Sequence, residues 1–178
     1  HALEMRDKHE VLPADIQWHF IGHLQTNKIK YIVPFVSLIH SIDSANLLDA
    51  VNKEAKKHAR VVDCLLQFHI ANEETKFGLS LDEAKEILDS AAFKQMENVR
   101  ICGVMGMATF TDDQAEIHEE FRHLKTIFDN LKNGYFADQT SFKEISMGMS
   151  DDYPIAIEEG ATLVRVGSKI FGRRNYNI

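Results

Sequence analysis

The 178-residue sequence has only three prolines and two cysteines, and it lacks any apolar run of the roughly 18 residues that a membrane-spanning helix needs. Cys64 and Cys102 lie in apolar runs without C-x-x-C spacing and without a secretory segment before them. These absences argue against a membrane span, a disulfide framework and a cysteine metal motif. They predict a cytoplasmic protein with buried thiols.

Basic residues are also in deficit. Lys and Arg number 20 against 27 Asp and Glu, which gives a formal net charge of -7. Such a chain has little non-specific affinity for nucleic acid or an anionic membrane, although a local basic pocket can still bind a small anion. No G-x-G-x-x-G follows any apolar run, so the usual dinucleotide-binding fingerprint is missing.

What the sequence does contain is an alternation of strand and helix patterns. Short apolar runs rich in Val, Ile and Phe predict strands at residues 17–22, 36–42, 61–70, 101–108, 144–149 and 162–171. Helical spacing appears at residues 44–58, after Ser80 and Glu83, and at residues 112–132, where Thr111 and Gln114 form a capping-box pattern. Buried strands separated by amphipathic helices indicate a parallel sheet covered by helices, so the fold class is α/β.

Two parallel architectures fit this pattern, a doubly wound sheet and a (β/α)8 TIM barrel. Small and polar residues cluster at the carboxyl ends of several strands, where a barrel places its site, and this favours the barrel. A complete barrel typically needs about 250 residues, and the opening residues 2–9 look like the middle of a helix. We therefore expect a single barrel domain over residues 1–178, with about six of the eight βα units present and the first two missing.

Arg165 is the most unusual residue of the last predicted strand, because it interrupts an apolar run. Side chains alternate along a strand, so Arg165 and Gly167 share one face while Val164 and Val166 share the other. In a barrel the two valines would pack on helices and Arg165 would point inward. A buried guanidinium is costly without a partner, so we expect a group that compensates its charge.

The residues around Arg165 suggest one such group. The backbone amides of Gly167 and Ser168 can donate to a phosphate, and Ser150 can add a hydroxyl after the preceding strand. The alternative is structural: Ser150 is the N-cap of a helix over residues 152–159, and Arg165 pairs with a carboxylate across the barrel. The residues alone leave both interpretations open.

Three histidines, His19, His40 and His69, fall within or near the ends of three successive predicted strands. Together with Asp43 or Asp63 they are candidates for a zinc site. Histidines in such positions are more often satisfied separately in a core or pocket, and these show no close H-x-H spacing. The metal site is therefore the weaker interpretation.

Four methionines and one lysine complete the candidates. Met105, Met107, Met147 and Met149 are interpreted as core or as an apolar wall for a flat ligand. Lys76 lies in a polar loop, where it is either solvated or at the mouth of a pocket. Neither group identifies a ligand.

Five motifs in order along the chain resemble the YggS/PROSC family of pyridoxal phosphate (PLP) homeostasis proteins. They are WHFIGHLQTNK at residues 18–28, ETKFG at 74–78, GVMGM at 103–107, SMGMSDD at 146–152 and VRVGSKIFG at 164–172. The resemblance implies the N-terminal barrel of alanine racemase without the second domain of the racemase. It also implies PLP bound at the carboxyl ends of the strands and a non-catalytic role in vitamin B6 homeostasis.

Carried over by position, the resemblance assigns the cofactor's parts to individual residues. It places the phosphate against Ser150 and the backbone of Gly167 and Ser168, with Arg165 beside the pyridine nitrogen. His19 and Met105 match positions near the cofactor wall.

In this family PLP forms a Schiff base with a lysine at the end of the first barrel strand. That position would lie upstream of residue 1, and neither Lys28, Lys76 nor Lys169 occupies the matching motif. The resemblance therefore nominates no catalytic residue in the present chain.

Three functions follow from these observations. The leading one is a PLP carrier or regulator, monomeric, with PLP-dependent apoenzymes as possible partners. The second is a racemase-like PLP enzyme, which would need a further acid or base, and no tyrosine stands in a context that nominates it: Tyr31, Tyr135, Tyr153 and Tyr176. The third is a metal-dependent barrel hydrolase that uses the three histidines.

Overall fold

The structure is a computed structural model that describes residues 1–74 and 77–173. The strands are β1 (His19–Phe20), β2 (Leu38–Ile42), β3 (Val62–Phe68), β4 (Val99–Gly106), β5 (Glu144–Met149) and β6 (Leu163–Arg165). The α-helices are α1 (Ala2–Val11), α2 (Ala45–Lys57), α3 (Leu81–Asp89), α4 (Ala91–Lys94), α5 (Gln114–Gly134), α6 (Tyr153–Glu158) and α7 (Ser168–Phe171), and Thr26–Tyr31 forms a 3-10 helix. Within the described part of the chain, no helix is long and apolar enough to cross a bilayer.

All six strands form one parallel sheet in which each strand pairs with its neighbours in sequence. The sheet is curled, as one contact shows: His40 Nδ1 on β2 lies 2.8 Å from Ser146 Oγ on β5. In a flat sheet these strands would lie about 14 Å apart, since neighbouring strands are roughly 4.8 Å apart. Sequential order and curling are the geometry of a (β/α) barrel, here open between β1 and β6, so the predicted α/β barrel architecture is confirmed.

Most helices begin where the sequence predicts. Ser44 Oγ caps α2 by accepting from the amide of Leu47, and Ser80 with Glu83 forms the predicted capping box of α3. The predicted capping box of the long helix α5 is wrong. Its N-cap is Asp113, whose carboxylate accepts two amides of the first turn, because a carboxylate two residues closer to the helix than Thr111 satisfies those donors directly.

Two predicted strands are shorter than expected. The first apolar run, residues 17–22, contributes only the two residues of β1. The last run, residues 162–171, ends as a strand at Arg165, and the chain then turns into α7 at Ser168. The apolar residues Ile170 and Phe171 therefore belong to a short exposed helix rather than to the sheet.

The core has two sides. Side chains such as Ile39, Leu66 and Val104 pack against the helices in one large cluster, whereas Leu38, Leu65, Cys102 and Met105 form a small apolar cluster with Leu163 on the inner face of the sheet. Met105 and Met147 are fully buried, as predicted. Met149 is 45% exposed at the end of β5, so its assignment to the core is wrong.

A register shift in β2 sets the inner face next to the candidate site. Ile39 pairs with Cys64 and Ile42 pairs with Leu66, so two residues of β2, His40 and Ser41, oppose the single residue Leu65 of β3. This is the pattern of a β-bulge, which redirects side chains locally. The bulge keeps Ile39 and Ile42 on the helix side and brings His40 to the interior.

Candidate functional site

Arg165 lies at the end of β6 and directs its guanidinium into the curl of the sheet. One guanidinium nitrogen donates to Ser146 Oγ at 2.7 Å, and another donates to the carbonyl of Gly106 at 3.1 Å. Burial lowers the pKa of Arg165 to about 10, and the nearby charge of Asp152 acts in the opposite direction. The group therefore stays protonated at neutral pH in a partly desolvated site.

These contacts correct two expectations about β6. The alternative that Arg165 pairs with a carboxylate is wrong, because its hydrogen bonds go to a hydroxyl and a carbonyl. Val164 points away from Arg165 as predicted, but it is 38% exposed instead of packed under a helix. The reason is its place in the sheet, since β6 is an edge strand of the described residues.

Ser150 is buried immediately after β5 and ties the neighbouring loop to the sheet. Its Oγ accepts from the amide of Gly167 at 3.3 Å and from the amide of Lys169 at 3.4 Å. The alternative that Ser150 is only a helix N-cap is wrong, because α6 begins at Tyr153 with Asp152 as its N-cap. The structure thus brings Ser150, Gly167 and the first residues of α7 together at the carboxyl ends of β5 and β6.

A chain of hydrogen bonds extends from Arg165 across the interior. Ser146 Oγ, which accepts from Arg165, lies 2.8 Å from His40 Nδ1, and His40 Nε2 lies 3.0 Å from His19 Nδ1. Four side chains on β6, β5, β2 and β1 are therefore joined in one series. Sequence reasoning named His19 and Arg165 separately, but it missed Ser146 and assigned His40 to another kind of site.

Both histidines of this series are held neutral. Burial lowers the pKa of His40 to about 3, and the nearby charges of His19 and Arg165 act in the same direction. Burial also lowers the pKa of His19, opposed by Glu144. Arg165 is consequently the charged member of the series at neutral pH.

The three predicted zinc ligands do not come together. His19 and His40 are in contact, but His69 Nε2 is 3.1 Å from the carbonyl of Glu73. Across residues 1–74 and 77–173, no group of three His, Cys, Asp or Glu side chains is arranged to hold a metal ion. The geometry gives the metal-dependent hydrolase hypothesis no support.

The lysines have separate environments. Lys169 Nζ lies 4.9 Å above the ring of Tyr153, close to the Ser150 loop. Lys28 lines a cavity of about 850 Å³ between α1, β1 and the segment that follows β1. Lys76 and Tyr176 lie outside the described residues.

The phosphate candidates line neither of two cavities that the described residues form. The 850 Å³ cavity includes His19, and a second cavity of about 510 Å³ at the amino ends of the strands includes His19, Asp63 and Arg100. Ser150 and Arg165 line neither. Met105, the other predicted wall residue, is fully buried in the apolar cluster on the inner face.

Glu120 is a structural residue of this region that sequence reasoning missed. It is buried on α5, and its carboxylate accepts from the amide of Thr109 at 2.7 Å, from the hydroxyl of Thr109 at 2.5 Å and from the amide of Asn72 at 3.2 Å. The carboxylate therefore clamps the loops that follow β3 and β4. The sequence carried a signal for it, because Glu120 is three residues after Ile117 and four before Leu124 and so lies on the same face of α5 as these buried side chains.

The family model described as the N-terminal domain of alanine racemase matches residues 3–175. A protein named pyridoxal phosphate homeostasis protein from Aquifex aeolicus is 40% identical over 174 residues, which is 97% of this chain and 74% of the relative.

Solved structures show the same similarity. The structure of PipY from Synechococcus elongatus PCC7942 with PLP bound is 31% identical, with a TM-score of 0.82 over 97% of this chain and 79% of that one. The crystal structure of an unknown protein from Bifidobacterium adolescentis is 33% identical, with a TM-score of 0.79 over 88% of this chain. The present chain spans 61% of that Bifidobacterium protein.

Proposed function

The chain belongs to the alanine racemase N-terminal domain family, among the pyridoxal phosphate homeostasis proteins, and from this membership we propose that it binds PLP at the carboxyl ends of β5 and β6. In this proposal the protein stores or delivers the cofactor and is not an enzyme. The observation that carries the proposal is the joint placement of Ser150, Gly167, Ser168 and Arg165 at one end of the sheet.

The donors at this end fit a phosphate. Ser150 Oγ already accepts two amides, so its own proton is left to donate outward. The amides of Gly167 and Lys169 already donate to Ser150 Oγ. Ser168 begins α7, and the amide of a first helical residue has no partner within the helix, so this amide can donate to a phosphate. Gly167 carries no side chain, and a Cβ built there would meet no atom within 4 Å, so a ligand can approach its backbone.

Arg165 fits the other end of the cofactor. Guanidinium only donates, and Arg165 stays charged, so it favours an acceptor such as an unprotonated pyridine nitrogen. When bound, PLP supplies an electron sink, and that sink is weak while its ring nitrogen is unprotonated. The residues of this site are therefore better suited to holding the cofactor than to promoting reactions on it.

Titration of the purified protein with PLP, followed by absorbance and fluorescence, tests the proposal. Arg165→Glu should raise the dissociation constant about 10-fold to 150-fold, because a hydrogen bond from a charged group contributes about 1.5–3 kcal/mol. Ser150→Ala should raise it about 2-fold to 10-fold, the effect of a neutral hydrogen bond. Arg122→Gln, an exposed change on α5, is the matched control. An unchanged dissociation constant in both site variants would refute the placement.

Other aspects stay predictions. A single barrel domain over residues 1–178, a monomeric state, delivery to PLP-dependent apoenzymes and a cytoplasmic location all rest on the sequence. Size-exclusion chromatography with light scattering checks the monomer directly. Transfer of PLP from the loaded protein to an apoenzyme, compared with free PLP at equal concentration, checks delivery.

A further inference from the structure

In the series Arg165, Ser146, His40 and His19, the donors and acceptors of each group determine which atom carries each proton. Arg165 donates to Ser146 Oγ and has no capacity to accept. Ser146 is fully buried, and among the hydrogen bonds of the described residues its Oγ has one other partner, His40 Nδ1. The hydroxyl proton of Ser146 therefore has one place to go, toward that nitrogen.

The rest of the series is then determined. If His40 Nδ1 accepts from Ser146, a neutral His40 carries its proton on Nε2 and donates to His19 Nδ1. His19, accepting at Nδ1, carries its own proton on Nε2. Both rings are neutral because burial lowers their pKa values, that of His40 to about 3.

The opposite direction is disfavoured by burial. With the proton of His40 on Nδ1, Ser146 Oγ would accept twice, and its own proton would have no acceptor in a fully buried position. A buried donor without a partner is destabilising. The series thus has one favoured direction of donation, from β6 toward β1.

We propose that Arg165 sets this direction and that His40, through Ser146, is a positioning residue that holds the Arg165 guanidinium in place for its ligand. His40 Nδ1 accepts the hydrogen bond from the Ser146 hydroxyl, and this orients a lone pair of Ser146 Oγ toward Arg165. The β-bulge at His40 and Ser41 is what places the ring opposite Ser146.

The first test is independent of any ligand. Long-range proton–nitrogen correlation NMR of the uniformly nitrogen-15 labelled protein distinguishes the two neutral imidazole forms. We expect the Nε2-protonated form for both His40 and His19. His123, exposed on α5, serves as the internal reference for a ring outside the series. In Ser146→Ala the preference of His40 should weaken. An Nδ1-protonated His40 in the unaltered protein would overturn the proposed direction.

The second test rests on the proposed function. In His40→Asn the side-chain oxygen can stand in for Nδ1 and accept from Ser146, whereas His40→Leu removes the acceptor. We expect the PLP dissociation constant to stay within about 3-fold in His40→Asn and to rise about 5-fold to 10-fold in His40→Leu, in line with one neutral hydrogen bond. Equal affinities in the two variants would overturn the positioning role.

The two tests separate the two ideas. If the unaltered protein binds no PLP, the proposed function fails, and the NMR result still decides the direction of the series. If His40→Leu does not fold, the comparison of the unaltered protein with His40→Asn and Ser146→Ala still tests the positioning role, since only Ser146→Ala should then weaken binding.

Discussion

Replacement of the buried Glu120 by alanine should destabilise the protein much more than replacement of its exposed neighbour Glu119. The change removes the acceptor of the Thr109 amide and hydroxyl, at 2.7 and 2.5 Å. The amide of Asn72 keeps a partner in Thr109 Oγ1 at 3.0 Å, so Thr109 bears most of the loss. Hydrogen bonds to a charged group contribute about 1.5–3 kcal/mol, and Thr109 is only partly buried, so we expect a loss of about 2–3 kcal/mol.

Urea unfolding followed by circular dichroism measures this loss as a shift of the midpoint at constant slope. In thermal unfolding the same loss corresponds to a decrease in Tm of roughly 4–12 °C for a chain of this size. The matched control is Glu119→Ala, the exposed neighbour on α5, which should change stability by less than about 0.5 kcal/mol. If the two variants lose equal stability, the clamp does not hold the loops together and the reasoning fails.

Three further predictions concern stability. Gly103→Ala should prevent normal folding, because Gly103 has φ +153° and a Cβ there would lie 1.9 Å from the carbonyl oxygen of Glu144. Gly134→Ala is the control and should be neutral or slightly stabilising, because a Cβ there meets no atom within 4 Å. Soluble yield and Tm distinguish the two variants. Ser80→Ala should cost about 1 kcal/mol in urea unfolding, the usual contribution of an N-cap, and a loss below about 0.3 kcal/mol would contradict the capping role. The pKa of His40 is lowered to about 3 from an ordinary 6.5, so between these pH values the unfolded state binds a proton that the folded state does not. The free energy of unfolding should therefore decrease as pH falls from about 7 toward 3, by up to about 1.4 kcal/mol per pH unit. If His40→Asn shows the same dependence of this free energy on pH, another group is responsible.

The α/β barrel was predictable because its main signals are local. Strand runs, helical periodicity and the capping box at Ser80 depend on residues a few positions apart, and the structure reproduces them. The errors lie at element ends. Asp113 replaced Thr111 as a helix cap, and β6 ended at Arg165, because competing side-chain acceptors and a turn of one or two residues decide such boundaries.

The inner face was only partly predictable. Strand alternation correctly turned Arg165 inward, but its partner Ser146 is 19 positions away in sequence and His40 is 106 positions from Ser146. Only the curl of the sheet brings them together. A β-bulge also offsets the alternation at His40 and Ser41, and no local pattern in the sequence marks it.

The strands lie in the sheet in their sequence order, and they pair over unequal lengths. The pairing between β3 and β4 is the longest, and the pairings of β1 and β6 with their neighbours are short. Local opening of a protein follows such differences, so backbone amides should exchange with deuterium most slowly in β3 and β4 and fastest in the two edge strands. We therefore expect the segment that contains Arg165 to open more readily than β3 and β4. A ligand that contacts Arg165 and Ser150 together would close this segment, and slower amide exchange confined to β6 and α7 would reveal its binding.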